Sequence, residues 1–104
     1  MTRPFRFGVN MLTPASAAEW RAKCRRAEEL GYDRIPVPDH LGWVAPFPAL
    51  VAAAQATERA RVGTLVLNAG FYNPTLLARE VATTDALTGG RLELGLGTGY
   101  VREE

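Results

Sequence analysis

Leu87-Thr88-Gly89-Gly90-Arg91-Leu92-Glu93-Leu94-Gly95-Leu96-Gly97-Thr98-Gly99 is the stretch on which the reading of this chain turns. Gly89-Gly90 ends a helix, and the alternation of Leu92, Leu94 and Leu96 predicts a strand over Leu92–Leu96. The strand then dissolves into glycines, as strands do where they open into a ligand-binding turn ahead of a helix. Here the turn leads into Tyr100-Val101-Arg102-Glu103-Glu104, which carries no helix signal of its own.

Working back from that strand, helices and strands alternate. Asn73-Pro74 reads as an N-cap and a first-turn proline, predicting a helix to about Leu87. Val62–Asn68 is a third strand, nearly all apolar, as expected when both faces are covered, and Ala69–Tyr72 is a short loop. Pro48 suits the first turn of a second helix, which runs through an alanine-rich stretch to about Ala60. Asp39–Phe47 is a loop, and Asp33–Pro38 a second strand shortened by its prolines. Before it, Ser16 and Glu19 form a capping box, and Trp20, Cys24, Ala27 and Leu30 share one helical face. Gly31 stands where a left-handed residue closes that helix, and Phe5–Asn10 is the first strand.

Four strands alternating with three helices argue for an α/β fold of parallel (β/α) units. Two closures fit that order: a doubly wound open sheet, or the first half of a (β/α)8 barrel. In both, ligands gather at the C-terminal ends of the strands. That rule selects residues 10–12, Asp39 and His40, residues 68–72, and residues 97–100.

The totals narrow the classes. At 104 residues the chain is at most one domain, and 47% hydrophobic with 22% charged residues is ordinary for a globular protein. A net charge of +1 gives no electrostatic case for nucleic acid. One cysteine, Cys24, excludes an internal disulfide and gives no metal-site spacing, so no metal is expected. No apolar run approaches the roughly 20 residues that span a bilayer, and the N-terminal residues lack a signal-peptide stretch. The expectation is a cytoplasmic soluble protein.

His40, the one histidine, follows the second strand beside Asp39. An imidazole titrates near neutrality and can pass a proton; equally, Asp39 can cap a turn and His40 make a structural hydrogen bond. Gly95-Leu96-Gly97-Thr98-Gly99 resembles a phosphate-cradling turn, but lacks the spacing of the dinucleotide fingerprint. The same glycines can serve only close packing at a strand end. Asn68-Ala69-Gly70 leaves room for a flat ring or makes a simple bulge. Cys24, on the apolar face of the first helix, reads as core.

Val37–Leu41, Val62–Asn68, Asn73–Thr83 and Leu87–Gly99 together resemble the luciferase-like monooxygenase superfamily, nearest its branch of oxidoreductases dependent on coenzyme F420. The resemblance implies a (β/α)8 barrel that binds a deazaflavin or flavin at its C-terminal mouth. It implies hydride transfer with F420, or FMN-dependent monooxygenation as the alternative. By that similarity His40 lies near the reacting ring as a proton donor and Asp39 contacts the cofactor. Asn68, Ala69 and Gly70 match a strand-three bulge, often with a non-prolyl cis peptide, that backs the ring. Thr98 and Gly99 match a turn that touches the cofactor tail. Sugar-phosphate dehydrogenases of the family carry a glutamate right after that turn, where this chain has Tyr100. Glu103 and Glu104 come too late to replace it without a change of register, so a sugar-phosphate substrate is not expected.

The resemblance also implies members two or three times longer. Residues 1–104 are then the N-terminal half-barrel, with open edges at the first and fourth strands. Unpaired edges invite association. The expected partner is a second copy or another half-barrel, and the third reading is a truncated fragment or assembly module without activity of its own.

Overall fold

The computed structural model describes residues 3–13 and 15–104; the first two residues of the stretch read for a signal peptide lie outside them. Helices α1 (Ala17–Glu29), α2 (Pro46–Ala56) and α3 (Pro74–Leu87) alternate with short strands β1 (Arg34–Val37), β2 (Arg61–Thr64), β3 (Leu67–Asn68), β4 (Leu92–Glu93) and β5 (Leu96–Gly97). One sheet has the order β1-β2-β4, a second pairs β3 with β5, and every pairing is parallel. The α/β class and the three helices are as the sequence predicts. Among the described residues no helix is long and apolar enough to cross a membrane.

The core lies on one sheet face. Ile35 and Val37 of β1 and Val62 of β2 meet Trp20, Cys24 and Ala27 of α1 and Leu50, Ala53 and Ala54 of α2. Ser16 accepts the Glu19 N–H at 3.2 Å, forming the hydroxyl half of the expected capping box. The buried Trp20 indole donates to the Ala49 carbonyl at 3.0 Å, so α1 is pinned to α2 by a satisfied polar tip. Leu30 is a correction: it is the C-cap and mostly exposed, because the helix ends before its side chain can turn inward. Burial pushes the Cys24 thiol up to about 11, consistent with a core role.

The expected first strand survives only as an extended segment. Val9 N–H donates to Arg34 O and Met11 N–H to Pro36 O, both at 3.1 Å, in the parallel sense. The rung between them needs an N–H from residue 36, which is proline and has none. Helix α2 is likewise shifted, from the expected 48–60 to Pro46–Ala56. It stops early because the Thr57 hydroxyl takes Ala53 O at 2.8 Å, and Arg91 donates to Ala54 O, Thr57 Oγ1 and Ala60 O. Helix α3 keeps the predicted bounds: Asn73 Oδ1 accepts from Thr75 and Leu76, and Gly89 and Gly90 turn left-handed after it.

The third and fourth strands each break in two. The Leu65–Val66 peptide between β2 and β3 is cis. Facing it, a Cβ on Gly95 would come within 2.6 Å of Thr64 O, so the backbones approach more closely there than any side chain allows. The buried Thr64 hydroxyl bridges the gap, donating to Gly95 O at 2.8 Å and accepting its N–H at 2.9 Å. The breaks turn β3 and β5 into a small second sheet beyond the ends of β1, β2 and β4, where the site lies.

Candidate active site

A cavity of about 550 Å³ opens at the C-terminal ends of β1, β3 and β5. Apolar side chains (Leu12, Pro38, Trp43, Leu65, Val66) make most of its wall, and Asn10, Asp39, His40, Asn68, Thr98 and Glu104 supply polar groups. That size and mixture suit a flat organic ring with polar edges. Of the residues expected at the site, Asp39, His40, Asn68, Thr98 and Gly99 line this cavity together. Gly70 lines an adjoining hollow of about 320 Å³ with Asn68, Thr98 and Gly99. Ala69 lines neither and is exposed in a one-turn 3-10 segment, Ala69–Phe71. The cis peptide that the resemblance associates with Asn68–Gly70 lies at Leu65-Val66, three residues before Asn68, and both residues line the cavity beside Asn68.

Asp39 is buried, and its Oδ2 accepts the Asn68 N–H at 2.9 Å, tying the end of β1 to the end of β3. The Tyr72 hydroxyl is pushed up to about 12, first by burial and then by the charge of, and hydrogen bond to, Asp39. Asn68 Oδ1 accepts from Gly70 N–H at 3.0 Å, and its amide packs where a Cβ on Gly99 would fall, 2.9 Å from Nδ2. Gly99 also has φ of +84°, so both space and backbone demand glycine at the turn beneath Thr98.

His40 opens a turn closed by the Trp43 N–H on its carbonyl at 3.1 Å, with Gly42 at φ +88° in the position where such turns need glycine. The Trp43 and Tyr100 rings stand edge-on to the imidazole, with centroids 4.8 and 5.5 Å away. His40 Nδ1 lies 3.1 and 3.2 Å from the two carboxylate oxygens of Glu104, and the Leu41 N–H donates to the same carboxylate at 2.9 Å. The Tyr100 hydroxyl is 3.5 Å from Nε2, too long for more than a weak bond. Sequence reasoning passed over Glu104 as too far along the chain. The turn that bonds Glu104 N–H to Val101 O at 3.1 Å folds it back, which spacing from the glycines could not show.

Comparison with known proteins places this geometry. The model of the luciferase-like monooxygenase family matches residues 1–104. An F420-dependent glucose-6-phosphate dehydrogenase of Intrasporangium calvum is 42% identical over 88 residues, covering 76% of this chain and 26% of the relative. The structure of the coenzyme F420-dependent tetrahydromethanopterin reductase of Methanopyrus kandleri superposes with a TM-score of 0.82 at 26% identity, over 91% of this chain and 27% of that one. The oxygenating constituent of 3,6-diketocamphane monooxygenase of Pseudomonas putida, in complex with FMN, matches with a TM-score of 0.81 over 96% of this chain and 31% of that one. At 18% identity it shares the fold alone. The chain thus spans about a quarter of the length of its curated relatives. Its (β/α) units are the barrel units of these proteins, and the chain belongs to the luciferase-like monooxygenase family.

Proposed function

We propose that this chain carries the N-terminal part of the site of a coenzyme F420-dependent oxidoreductase, in which His40 moves the proton that accompanies hydride transfer. The observation that supports it is convergence: the Asp39-His40 pair ending β1, Asn68 of β3 and Thr98-Gly99 after β5 meet around one cavity. The F420-dependent relatives and reductase fold point the same way. Asn68, Thr98 and the backbone at Gly99 would hold the cofactor, with Asp39 bracing Asn68 from below. Bound there, the deazaflavin supplies the hydride-transfer chemistry. Leu12, Trp43, Leu65 and Val66 would pack against the ring as the apolar wall, and His40 takes or gives the proton at Nε2. An FMN-dependent luciferase-like monooxygenase is the second reading, supported by the match to the luciferase-like monooxygenase family model.

The substrate, in either case a small molecule, and the barrel's completion are part of the proposal. Beyond β4 and β5 no further strand pairs among the described residues, and Leu65, Val66, Leu94 and Leu96 stay exposed. We propose that residues 1–104 form an N-terminal half-barrel unit that pairs through these edges, with a second copy or with another half-barrel. Titrating the chain with F420 and with FMN by fluorescence, while light scattering reports mass, tests both parts. Micromolar F420 binding supports the first reading, and preference for FMN the second. Tight binding by a monomer overturns the pairing, and no binding at any assembly state overturns both cofactor readings.

A further inference from the structure

We propose that Glu104 is the positioning residue of His40, holding its neutral imidazole as the Nδ1–H tautomer so that Nε2 is the ring's free acceptor in the cavity. Both Glu104 oxygens lie within hydrogen-bond distance of Nδ1, and a carboxylate can only accept, so that nitrogen must donate. The carboxylate is itself oriented by the Leu41 N–H and is little exposed, so this charge-assisted bond is not dispersed by water. Trp43 and Tyr100, standing edge-on, limit ring rotation. Among the described residues Nε2 has only the long Tyr100 contact, leaving its lone pair available. In the protonated ring the same geometry leaves Nε2–H as the proton that can be given away. The use of that proton rests on the function proposed above; the tautomer does not.

His40 is the single histidine, so long-range ¹H–¹⁵N spectra of the full chain report this ring alone. Above the ring's titration midpoint, the Nδ1–H form should exceed Nε2–H about tenfold, as one added charge-assisted bond implies. Glu104→Ala should reverse or erase that excess, and Glu104→Gln, which keeps an acceptor oxygen, should restore much of it. The amide signals of α1–α3 check folding of each variant. A wild-type ring protonated mainly on Nε2 overturns the proposal, and needs no variant to fold. So does an Nδ1–H excess that survives Glu104→Ala. Failure to bind F420 would leave this result standing and sink only the cofactor reading, whereas F420 binding beside an Nε2–H ring would sink only the tautomer.

Discussion

The two ends of the strands treat charge in opposite ways. At the N-terminal end, on the sheet face away from the helices, Glu93 is met by Arg34 Nε at 2.6 Å, Arg6 at 2.8 Å and Arg61 at 2.9 Å. Burial alone would raise its carboxyl. The hydrogen bond from Arg6 and the charges of Arg34, Arg6 and Arg61 outweigh that and hold it below the usual carboxylate range. Three guanidinium groups converge on this one carboxylate, whose Oε1 faces Arg34 as an ion pair and accepts no hydrogen bond. At the C-terminal end the Glu104–His40 hydrogen bond fixes one side of a ring and leaves the other side open to a cavity. The first arrangement is a cross-strand tie; the second is a site. The difference lies in what each arrangement leaves facing a cavity.

Breaking the open end should cost function with little stability. His40→Ala, in a cofactor-binding form of the protein, should slow turnover by about 10²–10⁴-fold while changing cofactor affinity far less. Equal turnover would remove the proton role. Breaking the tied end should do the reverse. Gly63→Val drives a Cβ into the Glu93 carbonyl oxygen, a backbone atom of the neighbouring strand that cannot give way, and should cost about 3 kcal/mol or more in urea unfolding. Glu93→Gln leaves three arginines facing a neutral group and should cost about 1–2 kcal/mol, less than a fully buried pair because Arg6 and Arg61 are well exposed.

The pH dependence sharpens the same contrast. A depressed folded-state value means that the stability from Glu93 is present above its unfolded value of about 4.3 and is lost as pH falls through the folded one. The acid limb of the stability curve should therefore flatten in Glu93→Gln. Tyr72 and Cys24 have raised values, so their contribution is intact below their unfolded values and is lost as pH rises toward about 12 and 11. Cys24→Ala should remove only the earlier part of that alkaline loss. Smallest of all, Ser16→Ala removes one helix cap far from both ends and should lower stability by about 1 kcal/mol with no change in the pH profile.

Much of this was legible in local sequence. Helix α3 could be bounded at both ends because Asn73-Pro74 and Gly89-Gly90 act through their own backbone geometry. The buried stripe of Trp20, Cys24 and Ala27 follows from helical period alone. That the Asp39-His40 pair and Thr98-Gly99 would meet at the C-terminal rim was legible because both follow strand ends. The end of α2 was not legible, since Arg91 reaches it from 37 positions away in the chain. Nor was the position of the strand-three break, which depends on how closely Gly95 lets two backbones meet.

The sequence by itself determined the class of fold, the helices and the two short motifs that mark the rim, because those depend on periodicity, caps and turns within a few residues. Only the tertiary structure decided that Leu65-Val66 lines the cavity, that Ala69 does not, and that Glu104 comes home to His40. Each of these depends on where a turn or a strand break aims a side chain, and spacing along the chain carries no record of that direction.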